Sequence, residues 1–397
     1  MPVSPAAATI PRMINVSSLL GVRTSPSDAL RYGRRRHGEH TPASSTARRP
    51  VVVWNVTRAC NLACRHCYAN AKRTAGPHEL TNAEARAFLE DLAGYGVPAV
   101  LISGGEPLAR PDLLELISHG VGLGLRFTLS TNGTLITPDV AGALAGAGLI
   151  YAGVSIDGPE ALHDRQRCEE GAYRASVEGL RNLGAAGVRR GVRFTVTPGN
   201  VDGVEEVLGL VVDEGIERFC LYHLVPSGRG GHLTDITAGQ RRQVLETVFA
   251  FAEEHPEVEV LTVDNPSDGP ALARWLQGRD PARAERCREM LAWNAGARGG
   301  PGIGIGCVDE NGLVHPDQFS RHRVLGDIRR EPFSVVWSEG RDPWLQEMRS
   351  ADRPMAGPCA ACTELPYCCG GMRARAELAT GDAWALDPSC SLVGATV

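Results

Sequence analysis

VVVWNVTRACNLACRHC, residues 51–67, runs from an unbroken β-branched segment straight into three cysteines, Cys60, Cys64 and Cys67. A short apolar run bounded by polar residues reads as a strand buried on both faces, the kind found in parallel sheets. The loop after it carries three thiols close enough in sequence to wrap a single iron–sulfur cube. Such clusters normally take four cysteines, so three leave one iron open to an outside chelator. A structural zinc site or a redox motif would also use closely spaced cysteines.

Working outward, the pattern repeats. Short apolar segments at 51–56, 99–103, 126–130, 151–156, 192–197 and 218–224 alternate with stretches of helical spacing such as 82–94 and 204–214. Successive βα units of this kind predict an α/β fold with six parallel strands, an open, partial (β/α)6 TIM-like barrel. In such barrels the active site lies at the carboxyl ends of the strands. The polar motifs fall there: the cysteine loop after the first strand, Gly104-Gly105-Glu106-Pro107 after the second, Thr131-Asn132-Gly133 after the third, Asp157-Gly158 after the fourth, and His223 at the end of the sixth. The organisation expected is an amino-terminal extension and linker at 1–49, the barrel at 50–255, a connecting helical segment at 256–295 and a cluster-bound domain at 296–397. That last region holds five of the twelve cysteines within its final 39 residues and has too little apolar periodicity for another βα unit.

The formal net charge of -5 and pI of about 6.1 give no basic footprint for nucleic acid. The basic run Arg34, Arg35, Arg36 and His37 is given no function. No apolar run approaches the ~20 residues that span a bilayer, and a cytoplasmic location, with reduced thiols, is expected.

The C-x3-C-x2-C spacing followed by Gly104-Gly105-Glu106-Pro107 resembles the radical SAM superfamily. The resemblance implies that Cys60, Cys64 and Cys67 hold a 4Fe-4S cluster whose open iron binds S-adenosylmethionine. It also implies that Gly104, Gly105, Glu106 and Pro107 approach the methionine amino group, while Ser130, Asn132, Ser155, Asp157 and Arg193 contact ribose and carboxylate. An external electron donor of flavodoxin or ferredoxin type completes the set. Cys359, Cys362, Cys368 and Cys390 resemble the SPASM-type extension of these proteins, which implies a second, auxiliary 4Fe-4S cluster; a structural zinc would use the same residues. Cys369 adjoins Cys368 and is expected to be a bystander. Cys307 is a candidate alternative ligand or catalytic thiol, with a buried hydrophobe equally open. Cys168, Cys220 and Cys287 lack ligand-spaced partners and default to packing.

A narrower likeness covers nearly the whole chain from Met13. Residues 27–34, 51–68, 223–230 and 308–319 are similar to the radical SAM enzymes that modify tetrapyrrole side chains in the siroheme-dependent haem and haem d1 routes. The Ser-Asp-Ala-Leu-Arg-Tyr-Gly-Arg stretch at 27–34, Thr262-Val263-Asp264-Asn265 and Cys307-Val308-Asp309 look most like the haem b branch. That branch removes two acetate groups from 12,18-didecarboxysiroheme through a 5'-deoxyadenosyl radical, giving iron-coproporphyrin III; propionate removal in the haem d1 route is the runner-up. One departure is Cys368-Cys369-Gly370-Gly371, where the group usually has Cys-Asn-Gly-Asn. A tetrapyrrole with many carboxylates calls for cationic clamps, and Arg229 and Arg193 are the candidates. His223 or His315 would approach the macrocycle iron or donate a proton, a structural role being as open for each. Two other readings compete. A SPASM-type peptide maturase would bring an amino-terminal recognition module, for which 1–49 is too short. A non-catalytic cluster or zinc protein would need closed sites, against the three ligands of the first set.

Overall fold

Val51–Asn55 is buried along its whole length, as its composition predicts, and is an interior strand of one 11-stranded sheet in the computed structural model, which describes residues 13–25, 49–296, 300–350 and 353–392. The strands in chain order are β1 Met13–Asn15, β2 Val51–Asn55, β3 Val100–Ser103, β4 Phe127–Thr131, β5 Tyr151–Ser155, β6 Arg190–Val196, β7 Arg218–His223, β8 Glu259–Val263, β9 Ile305–Val308, β10 Leu313–His315 and β11 Gly326–Asp327. Their order across the sheet is β1-β8-β7-β6-β5-β4-β3-β2-β9-β10-β11. The run from β2 to β8 is parallel throughout, with at least one helix in each connection, so the six predicted strands and the partial (β/α)6 barrel are present.

Local sequence explains where the helices begin and end. Thr81 and Glu84 form a reciprocal capping box ahead of Asn82–Tyr95, which stops at Gly96 in the left-handed conformation. Thr237 and Gln240 do the same for Ala238–Glu254. Trp54 on β2 is fully buried and meets Phe88 of the first crossover helix edge to face at 5.5 Å. That contact sets the helix on the sheet.

The structure corrects three expectations of organisation. Residues 256–295 are more than a helical connection, because β8 adds a seventh parallel strand before the helices Asp268–Gln277 and Pro281–Gly296. The amino-terminal segment supplies β1, antiparallel to β8, and the short helix Val16–Leu19. Residues 296–397 do not stand apart, since β9 pairs in parallel with β2 and carries β10 and β11 onto the same sheet. The stretch 27–34 and the basic run 34–37 lie outside the described residues. Among the described residues no helix is long and apolar enough to cross a membrane.

One buried cation fastens the carboxyl-terminal region to the barrel. Arg375, in helix Arg373–Thr380, pairs with Asp387 at 2.9 Å and donates to the carbonyls of Leu224 (3.0 Å) and Asp264 (2.5 Å), just past the ends of β7 and β8. Removing one partner of such a pair leaves a buried charge uncompensated, at a cost of about 3–5 kcal/mol. Arg375→Met is therefore expected to lower the thermal midpoint of the metal-free protein sharply. Arg341→Ala, whose pairs with Glu331 and Glu339 are exposed, is expected to leave it almost unchanged.

Candidate active site

At the carboxyl ends of the strands a single cavity is lined by Cys60, Cys64 and Cys67 together with Gly104, Gly105, Ser130, Asn132, Ser155, Arg193, His223 and Arg229. Eleven of the sequence-predicted residues are thus brought together from segments spread over 170 positions of chain.

The cysteine loop is shaped by its own backbone. The amides of Leu62 and Ala71 donate to the sulfurs of Cys60 and Cys67, each at 3.4 Å, and the Cys60 amide donates to the Lys72 carbonyl at 2.7 Å. Opposite, the Gly105 amide donates to Thr57 O and the Glu106 amide to Ala59 O, both at 2.8 Å. A Cβ on Gly105 would lie 2.1 Å from Ala59 O and one on Gly104 2.6 Å from Thr57 O. Only glycine admits this approach.

Glu106 and Asp157 stand behind the wall rather than in it. The fully buried Glu106 carboxylate accepts from Thr131 Oγ1 (2.8 Å), Asn132 N (2.8 Å) and Leu108 N (3.2 Å). Burial pushes its carboxyl up, against those donors. Pro107 opens the 3-10 turn that follows, away from the cavity. Asp157 is fully buried, and burial alone would raise its carboxyl; Arg167 at 2.6 Å and His66 at 3.5 Å outweigh that and hold it below the usual range. Burial drives His66 down to about 4, so it is neutral near pH 7.

Arg167 is a residue the sequence reading missed. Its Nη1 lies 3.5 Å from the Cys64 sulfur, placing a cation where a thiolate must form. The signal was present: His163 and Arg167, four apart, share one face of helix Glu160–Arg167, and both engage Asp157. Tyr68 was missed as well. Its hydroxyl bridges Asn55 Oδ1 (2.9 Å) and Ser103 Oγ (2.8 Å), and its ring meets Phe319 edge to face at 5.3 Å.

Arg229, Cys307 and His315 take structural positions, which for Cys307 and His315 is the alternative the sequence left open. Arg229 does line the cavity, but its guanidinium donates to the carbonyls of Cys64 (2.8 Å) and Ala71 (2.7 Å), so it braces the cysteine loop. Cys307 is fully buried on β9 behind the cavity, against Asn55 Nδ2 at 3.7 Å, and burial pushes its thiol well up. His315 has both ring nitrogens engaged, by Arg323 O at 2.9 Å and Asp309 Oδ2 at 3.2 Å, and does not reach the cavity. His223 does reach it.

A scan against family models matches the radical SAM superfamily over residues 54–211. The Fe-coproporphyrin III synthase of Methanosarcina barkeri is 42% identical over 392 residues, covering 96% of this chain and 98% of the relative. The chain belongs to the radical SAM superfamily. The pre-heme d1 synthase of Dinoroseobacter shibae is 39% identical over 356 residues, covering 87% of each. Among solved structures, S-adenosylmethionine-bound SuiB of Streptococcus suis superposes with a TM-score of 0.67 at 17% identity, over 87% of this chain and 78% of that one, and so shares the fold.

A radical SAM enzyme works with a 4Fe-4S cluster and S-adenosylmethionine, and the residues here fit them. Burial pushes the Cys60 thiol up to about 11 and the Cys64 thiol upward too, so the thiolates form when iron supplies the compensating charge. The glycine wall leaves room beside them. At the other cysteine set, Cys362 and Cys390 lie near enough to both Cys359 and Cys368 to disfavour their ionisation. Burial is the larger cause and takes Cys368 to about 12. Cys369 sits in the left-handed conformation that ends helix Leu365–Cys368. Among the described residues no three Cys, His, Asp or Glu side chains close tightly enough to hold a single metal ion.

Two outcomes are expected. Gly105→Ala, which forces a methyl into Ala59 O, should lose the iron and sulfide of the first cluster. His163, whose Nδ1 accepts from the Asp157 amide at 3.1 Å, is driven by burial to about 4, below its ordinary 6.5. The unfolded chain binds that proton first, so the contribution of neutral His163 is complete above about pH 6.5 and is lost as the pH falls towards 4. The loss is on the order of 3 kcal/mol. Denaturant unfolding of the metal-free protein across this window should show a shallower pH dependence for His163→Gln than for the wild type.

Proposed function

We propose that this radical SAM enzyme removes two acetate side chains from 12,18-didecarboxysiroheme to give iron-coproporphyrin III. The observation that carries the reading is the full-length similarity to the Fe-coproporphyrin III synthase, 42% identity over 98% of that relative. When bound, the cluster and S-adenosylmethionine supply a 5'-deoxyadenosyl radical able to take a hydrogen atom from carbon.

The chain's own part is to hold, orient and keep dry. Cys60, Cys64 and Cys67 ligate the cluster, and Gly104 and Gly105 let the methionine end approach the backbone. Ser130, Asn132, Ser155 and Arg193 meet the polar ends of S-adenosylmethionine, with Glu106 and Asp157 fixing the loops that carry them. Tyr222, on whose ring Arg193 stacks, lines the same cavity with Leu224, Val225 and Phe319, an aromatic and apolar wall that suits a macrocycle and excludes water from the reacting carbon. Cys359, Cys362, Cys368 and Cys390 hold the auxiliary 4Fe-4S cluster, and a flavodoxin- or ferredoxin-type protein in the cytoplasm delivers electrons.

Anaerobic incubation of reconstituted enzyme with S-adenosylmethionine, a strong reductant and 12,18-didecarboxysiroheme, read by mass spectrometry, tests the proposal. Stepwise loss of two acetates with formation of 5'-deoxyadenosine is expected. Cys64→Ala should form neither product, whereas Cys368→Ala should retain S-adenosylmethionine cleavage and lose tetrapyrrole turnover. Loss of propionates instead would favour the second reading, to which the 39% identity with the pre-heme d1 synthase points. Release of 5'-deoxyadenosine with the tetrapyrrole unchanged would refute the substrate.

A further inference from the structure

We propose that His223 is the protein ligand to the iron at the centre of the substrate macrocycle, with Asp268 as its positioning partner. The inference rests on the tetrapyrrole reading above. His223 ends β7 and lines the cavity, with its residue only 2% exposed. Its Nε2 lies 2.7 Å from Oδ2 of Asp268, a carboxylate with no solvent exposure. A carboxylate accepts, so in the neutral ring the proton sits on Nε2 and Nδ1 keeps its lone pair. Nδ1 is buried and has no hydrogen-bond partner. A buried acceptor left unpaired carries a desolvation penalty, which a ligand entering the cavity would relieve.

The other histidines near the site do not offer this. His315 has both nitrogens engaged, and His66 meets Gln166 at one nitrogen (2.8 Å) and Asp157 at the other. His163 turns its Nδ1 to the Asp157 amide and does not line the cavity. Asp268 is itself fixed: Asn265 Nδ2 donates to its other oxygen at 2.8 Å, and its amide returns a hydrogen bond to Asn265 O at 3.0 Å. A histidine whose far nitrogen donates to a fixed carboxylate is the arrangement that orients imidazole on a metal and raises its basicity. The flanking wall of Tyr222, Leu224, Val225 and Phe319 could take the face of a planar macrocycle; its one ligating atom is the Tyr222 oxygen, and burial pushes that phenol up, away from the phenolate that would bind iron.

The consequence is selectivity for the iron chelate over the free macrocycle. Titration of the reconstituted holoenzyme with ferric coproporphyrin III and with metal-free coproporphyrin III, followed by Soret absorption and ferric electron paramagnetic resonance, reads it. The iron form is expected to bind at least about tenfold more tightly, and 15N-labelled histidine in the wild type should alter the nitrogen couplings of the ferric signal. His223→Ala should lose both the preference and the signature, with added imidazole restoring the signature. Asp268→Asn should keep ligation at about 10–100-fold weaker affinity. Equal binding of the two porphyrins, or a signature unchanged by both the label and His223→Ala, would overturn the ligand assignment and leave the tetrapyrrole reading intact. Binding of neither porphyrin by the wild type would overturn both.

Discussion

The cysteine loop and the glycine turn meet backbone to backbone, and the rest of the site depends on that contact. With the Gly105 and Glu106 amides bonded to Thr57 and Ala59, no side chain fits between the two loops. Pinning the Glu106 backbone turns its carboxylate inward, where it takes Thr131 and Asn132. Asn132 then donates to Asn61 Oδ1 at 2.8 Å, and Asn61 donates to Thr134 at the same distance. A hydrogen-bonded circuit therefore runs from the cysteine loop through the ends of β3 and β4 and back to the residue beside Cys60. A ligand loop closed in this way has its thiols placed before any metal arrives, which is how preorganised sites reduce the ordering cost of binding.

Charge is arranged with the same economy of parts. Cys64 must become a thiolate in a buried place, and the nearest cation, Arg167, is neutralised in turn by Asp157. His66, which also touches Asp157, stays uncharged because burial outweighs that attraction. One cation and one anion thus face the cluster loop from behind. Arg229 braces the loop from the other side through carbonyls, so its contribution is geometry rather than a counter-charge to sulfur.

The chemistry was legible because it is local: a strand followed by a thiol loop, then glycines at the next strand's end, can be read without knowing any long-range contact. What failed to read was direction and distant pairing. Glu106 was assigned to S-adenosylmethionine from the family resemblance and Arg229 to substrate carboxylates because arginine binds them bidentately, whereas Thr131, Asn132 and Leu108 take the Glu106 carboxylate and the Cys64 and Ala71 carbonyls take the Arg229 guanidinium. β8 was missed because it opens with Glu259, a residue that argues against a buried strand. Here Arg189 and Arg218 lie 2.6 and 2.7 Å from its carboxylate, and Asn15 of β1 donates to it at 3.2 Å. None of those partners lies within 40 positions. β9 is four residues long and contains Gly306, whose missing side chain lets the Trp337 ring pack where a Cβ would be 2.6 Å away; no strand was expected there.

The carboxyl-terminal region draws its order from the barrel rather than from a core of its own. β9 extends the sheet, Phe319 packs on Tyr68, and Arg375 bridges the ends of β7 and β8 to Asp387. Ser389, next to Cys390, accepts from Arg241 and from Asn265, both at 3.1 Å. Asn265 is the residue that also holds Asp268, and Asp268 holds His223. The second cysteine set and the cavity-lining imidazole of His223 therefore share one hydrogen-bonded chain of four residues. A displacement of the loop at Cys390 has to be absorbed within that chain or passed on to His223, because Asn265, Asp268 and Ser389 are all buried and cannot exchange their partners for water.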